Sequence, residues 1–144
     1  MERPSQQRVS ELLAEALDGN ARNIDELRAA TREQLELAGK ALGGEPAVGR
    51  PSVLRVLRDW RDGALSDEQV RWWALLLYVG AFPAEWSPFG WRLGRSANQP
   101  IVINYHDDEA VNDVVFELKD IGDFDDEGRI KRTVDDMIRT LSEP

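Results

Sequence analysis

Cysteine is absent from the 144 residues, which removes disulfides, thiolate nucleophiles and cysteine-ligated metal centres in one step. Histidine occurs once, at His106. A lone imidazole followed by Asp107, Asp108 and Glu109 cannot build a multi-histidine metal site, nor a nucleophile–histidine–acid triad without distant help. Its expected role is helix entry beside an N-cap at Asp107. Long apolar runs are missing too: no stretch approaches the roughly 18 residues of a membrane span, and the opening MERPSQQRVSELL lacks the apolar segment of a secretory signal. A cytoplasmic location with no membrane partner is the expectation. Basic residues are scarce, 18 Lys and Arg against 27 Asp and Glu for a net charge of -9, and this argues against direct nucleic-acid binding, which needs clustered cations. The Gly-rich GGEPAVG has neither the spacing nor the lysine of a phosphate loop. The carboxylates are numerous, but no apolar pocket signal accompanies them, so no catalytic residue, metal or cofactor is assigned and an enzyme is not expected.

What the chain does have is enough apolar content, 42%, to bury one core of ordinary size. The expected fold is mainly α: one compact domain over residues 1–144, a bundle of five to six helices. Ser5 or a nearby residue opens a first helix through SELLAEALD, with Gly19 as its stop. A second, longer helix is expected from about Asn23 to Leu42, because Asn23 with Glu26 three residues on has the form of an N-cap pair; Gly43 and Gly44 end it. Pro51 suits the first turn of a third helix in which Val53, Leu54, Leu57 and Trp60 share a side, closed by Gly63. Ser66 with Gln69 forms a capping box, Asp67 and Glu68 favour the positive end of the dipole, and VRWWALLLYVG supplies an almost all-round apolar body for a buried central helix. Val111, Val114, Val115, Leu118 and Ile121, then Ile130, Val134, Met137, Ile138 and Leu141, keep helical spacing and should pack as a pair. Between these two groups, residues 82–105 are rich in Pro, Gly and aromatics; IVINY could pair with GWRLG as a short β-ribbon around residues 90–105.

Charge is unevenly distributed. Residues 101–144 carry thirteen acids against five bases, a net of -8, which leaves about -1 for the first hundred. Such a block is a solvated face or a surface for a basic partner. Trp72 and Trp73 are neighbours and point about 100° apart, so one belongs to the core and the other covers an adjoining helix or loop. Trp86, Phe89 and Trp91 stand in the Pro/Gly-rich segment, where exposed aromatics can anchor a partner or fold back on the bundle.

One stretch has the outline of a metal loop. DFDDEGRIKRTV, residues 123–134, sets Asp123, Asp125, Glu127, Gly128 and Ile130 at positions 1, 3, 5, 6 and 8 of a calcium-binding EF-hand. Position 12, which should be a bidentate Glu, is Val134; Asp135 falls one residue late and Lys131 occupies position 9. The stretch is therefore read as a helix–helix connection in which Asp125 or Asp126 caps the last helix, with no metal assigned.

The run VLRVLRDWRDGALSDEQVRWWALLLYVG, with Trp60, Gly63, Leu65, Ser66, Glu68 and the Trp72–Trp73–Ala74 block, resembles a segment of small bacterial proteins of the toxin-immunity type, including immunity proteins of colicin-like and contact-dependent toxins. NDVVFELKDIGD is similar to the acidic helix that often ends them; the insertion from Phe82 to Tyr105 departs from their pattern. The resemblance implies a non-enzymatic protein that binds a basic protein such as a toxin domain. The corresponding candidate contacts are Trp86, Phe89, Trp91, Asp107, Asp108, Glu109, Asp113, Asp123, Asp125 and Asp126. Two other readings stay open, a helical adaptor or structural domain and a degenerate EF-hand-like calcium-responsive module.

Overall fold

The computed structural model describes residues 4–43, 46–80, 103–105, 107–119 and 127–142. Seven helices lie within them: α1 Gln6–Leu17, α2 Ile24–Leu27, α3 Arg32–Ala41, α4 Arg50–Arg61, α5 Asp67–Val79, α6 Glu109–Leu118 and α7 Glu127–Ser142. The chain is thus mainly helical, and no described helix is long and apolar enough to cross a membrane.

Local chemistry accounts for most of the boundaries. Ser5 accepts a hydrogen bond from the Arg8 amide and starts α1. Ser66 and Gln69 form the reciprocal capping box at α5, and Gly80 ends that helix in the left-handed region. Pro51 sits in the first turn of α4, where a missing N–H costs nothing.

The single helix expected over Asn23 to Leu42 is corrected to two, α2 and α3. Asn23 makes no side-chain cap bond. Its amide instead reaches Glu15 at 3.4 Å, and Glu26 is taken by Arg8, whose Nε and Nη2 donate to its carboxylate at 2.8 and 3.0 Å. The helix restarts at Thr31, whose hydroxyl accepts from the Gln34 amide at 3.1 Å while the Gln34 side chain accepts from the Thr31 amide at 2.9 Å. A second correction concerns α6, which is capped by Asp108 and not Asp107: the Asp108 carboxylate accepts from the Ala110 amide at 3.1 Å.

Most of α5 is interior. Val70 and every residue from Trp72 to Leu77 are buried, which explains the near absence of a polar face in its sequence. Each such leucine contributes about 1.5–3 kcal/mol by leaving water, so the interior of α5 outweighs the exposed ion pairs around it. Trp73 is fully buried and donates its indole N–H to the Ala16 carbonyl at 2.7 Å. Trp72 covers the neighbouring element as expected, with the Arg28 guanidinium 3.7 Å from its ring centre and its own N–H on Glu68. Trp60 closes the α4–α5 turn through a 2.7 Å bond to Asp67.

Around this axis, α2, α4 and α6 contact α5, α3 lies on α1, and α7 rests on α4 and on α6. The buried apolar residues of all seven helices belong to one cluster. No strand occurs among the described residues; an isolated parallel bridge joins Ala47 to Asn104, with Asn104 N–H donating to Pro46 and Val48 N–H to Asn104. IVINY therefore meets the loop before α4 at its described end, and the ribbon expected around residues 90–105 otherwise lies outside the described residues.

Candidate acidic interface

Helix α6 is amphipathic in a simple way. Val111, Val114, Val115 and Leu118 are buried, which turns Glu109, Asp113 and Glu117, spaced one turn apart, to the opposite side, where all three are exposed. Helix α7 packs alongside with Val134, Met137 and Leu141 inward and Asp135 and Asp136 exposed. Where the two helices meet the start of α4, they form an open groove of about 1050 Å³, lined by Asp107, Asp108, Glu109, Asp113, Glu117 and Asp136, with Ala110, Val114 and Met137 along its floor. Six carboxylates thus share one concavity. Arg50 is the cation in its lining.

Arg50 is already committed to the fold. Its Nε and Nη2 donate to the Asp108 carboxylate at 2.5 and 3.2 Å, so the first turn of α4 is tied to the cap of α6. Hydrogen bonding from Arg50, reinforced by the Val111 and Ala110 amides, holds the Asp108 carboxyl below its ordinary range against the opposing effect of burial. The Arg8 guanidinium lowers Glu26 in the same way. A carboxylate with a depressed folded pKa contributes stability above its unfolded pKa and loses it as the pH falls through the folded value. The protein should accordingly lose stability below the ordinary carboxylate range, near pH 4. Asp108→Asn should flatten the acid limb of a plot of melting temperature against pH.

Of the residues expected from sequence to meet a partner, Asp107, Asp108, Glu109 and Asp113 come together at this groove. Trp86, Phe89, Trp91, Asp123, Asp125 and Asp126 lie outside the described residues. Glu117 and Asp136 join the lining although they were not expected there. Glu117 was within reach, since the i, i+4, i+8 series from Glu109 is visible in the sequence. Asp136 and Arg50 enter through tertiary packing: the pairing of the last two helices is expected from their apolar spacing, but the approach of α4 to them is not marked in the sequence.

Among the described residues, no three carboxylate or imidazole groups converge closely enough to hold a metal ion. The EF-hand-like stretch is helical from Glu127 onward, so positions 5 to 12 belong to α7. An EF-hand turns the position 7 carbonyl toward its ion, whereas a helical carbonyl is directed to the amide four residues on. Val134, at position 12, is buried among apolar side chains. No family model matches this chain, and no curated protein or solved structure matches it at a significant level.

Proposed function

We propose that this protein is a non-enzymatic binding protein of the inhibitor or immunity type, and that the acidic face of α6 and α7 receives a basic protein. The observation that supports this most is the groove itself: six carboxylates from α6, the turn before it and α7, with the lining cation, Arg50 of α4, engaged by Asp108. A field of one sign concentrated in a concavity attracts a cationic surface from a distance and speeds encounter, and carboxylates so placed can stand where an anionic substrate of that partner would lie. Trp86, Phe89 and Trp91 are proposed as further apolar anchors for that partner.

The test uses residues that do not hold the fold. Asp108 is unsuitable because it caps α6 and binds Arg50. Asp113→Lys, Glu117→Lys and Asp136→Lys together alter exposed side chains, so the variant should melt close to the parent. Against a basic partner recovered from the source cell, surface plasmon resonance should show association slowed about tenfold or more at low ionic strength, with the difference shrinking as salt is raised. An association rate indifferent to the three reversals at both salt concentrations would reduce the acidic face to a solvated surface.

A further inference from the structure

Three large apolar side chains are exposed among the described residues: Leu37, Leu42 and Phe116. Leu37 and Leu42 stand on α3 and its C-cap, and α3 packs on α1. Phe116 differs because of where it stands. Counting along α6, it is two turns beyond Glu109 and one beyond Asp113 on the same stripe, with Glu117 next to it in sequence. An aromatic ring thus flanks the acidic stripe on its α5 side, outside the lining of the groove.

That ring is held while remaining accessible. It meets the Tyr78 ring edge-on, with centroids 6.2 Å apart and planes at 76°, a favoured aromatic geometry. The Lys119 ammonium lies 4.1 Å from its centre and 5.0 Å from that of Tyr78, within cation–π range. Even so, Phe116 is 51% exposed. Aromatic residues fixed in position and surrounded by polar groups have the anatomy of an interaction hot spot, since little side-chain entropy is lost on binding and the rim shields the contact from water.

We propose that Phe116 is the apolar anchor of the acidic face, and that its occupant is a cationic segment carrying an apolar side chain between its Lys or Arg residues. This rests on the reading of α6 and α7 as a surface for a basic protein. A second copy of the chain does not fit, because the face would meet its own carboxylates. A purely cationic segment would use Glu109, Asp113 and Glu117 but would leave Phe116 in water; an amphipathic cationic segment satisfies both.

Two peptides of equal positive charge separate these possibilities, an amphipathic Leu/Lys helix and an oligolysine, titrated into the full chain at low salt by isothermal calorimetry. The parent should bind both, the amphipathic peptide more tightly. Phe116→Ala should weaken the amphipathic peptide about tenfold and leave oligolysine unchanged, with Phe116→Leu intermediate; the Glu109→Gln, Asp113→Asn, Glu117→Gln variant should weaken both. Thermal melts of each variant verify folding, and the exposure of Phe116 makes its loss mild. If Phe116→Ala binds the amphipathic peptide as the parent does while the triple variant is weakened, the anchor is wrong and the acidic face stands. If the parent binds neither peptide, or the triple variant binds both unchanged, the acidic-face reading fails and the anchor with it.

Discussion

Trp73→Ala should destabilise the protein by roughly 3–5 kcal/mol, the range for removing a large aromatic from a packed core. Trp73 is fully buried in the middle of α5, so the cavity would open against neighbours on several helices rather than at a surface able to collapse. For a chain of this size the loss corresponds to a fall in melting temperature of roughly 10 °C or more. Trp73→Phe removes the indole hydrogen bond while keeping an aromatic ring and most of the apolar volume. The Ala16 carbonyl accepts from both the indole, at 2.7 Å, and the Gly19 amide, at 3.1 Å, so it keeps one donor when the indole is gone. The phenylalanine variant should therefore cost clearly less than the alanine variant. Equal losses in the two, measured by chemical denaturation, would mean that the indole hydrogen bond and not the packing dominates at this site.

Gly19→Ala is expected to cost about 2–4 kcal/mol, large for the addition of one methyl group. Two effects combine. Gly19 has φ +95, in the region that L-residues enter at a cost of roughly 1–2 kcal/mol. A Cβ there would also lie 2.5 Å from the Ser52 carbonyl oxygen and 3.0 Å from the Arg55 Cβ, so backbone must move where α1 ends against α4, an overpacking cost of about 1–3 kcal/mol. Gly63 supplies the control. It too has positive φ, +84, but nothing lies within 4 Å of its would-be Cβ, and Gly63→Ala should show the conformational cost alone. If urea denaturation gives the two substitutions the same loss, close approach of α1 to α4 contributes nothing.

These two sites also mark the limits of what the sequence discloses. Gly19 reads as a helix stop, and its positive φ follows from that reading; the proximity of Ser52 does not. The capping box at Ser66 and Gln69 survives intact because its partners are neighbours in the chain and nothing else competes for them. The outwardly similar pair Asn23 and Glu26 fails because Glu15 and Arg8, on a different helix, hold those side chains. The same chemistry at Thr31 and Gln34 succeeds, yet it is concealed in the sequence by Ala29 and Ala30, two good helix formers just before the break. At the acidic face the spacing of Glu109 and Asp113 on α6 is a local property and is legible. The arrival of Asp136 from α7 and of Arg50 from α4 depends on tertiary packing, whereas the place of Phe116 on the polar side of α6 follows from the helical count; its contact with Tyr78 does not. The helical class was legible for a related reason, since five of the seven helices are bounded by residues whose preferences are local.

The Arg50–Asp108 contact has one more consequence, in how freely this chain can change over evolutionary time. The two residues are 58 apart in sequence, and the Ala47–Asn104 bridge runs beside them, so the start of α6 is tied to the start of α4 by contacts of the folded chain, in addition to the packing of α6 on α5. Positions 50 and 108 are therefore expected to change together, since a charge altered at one removes a hydrogen-bonding partner of the other.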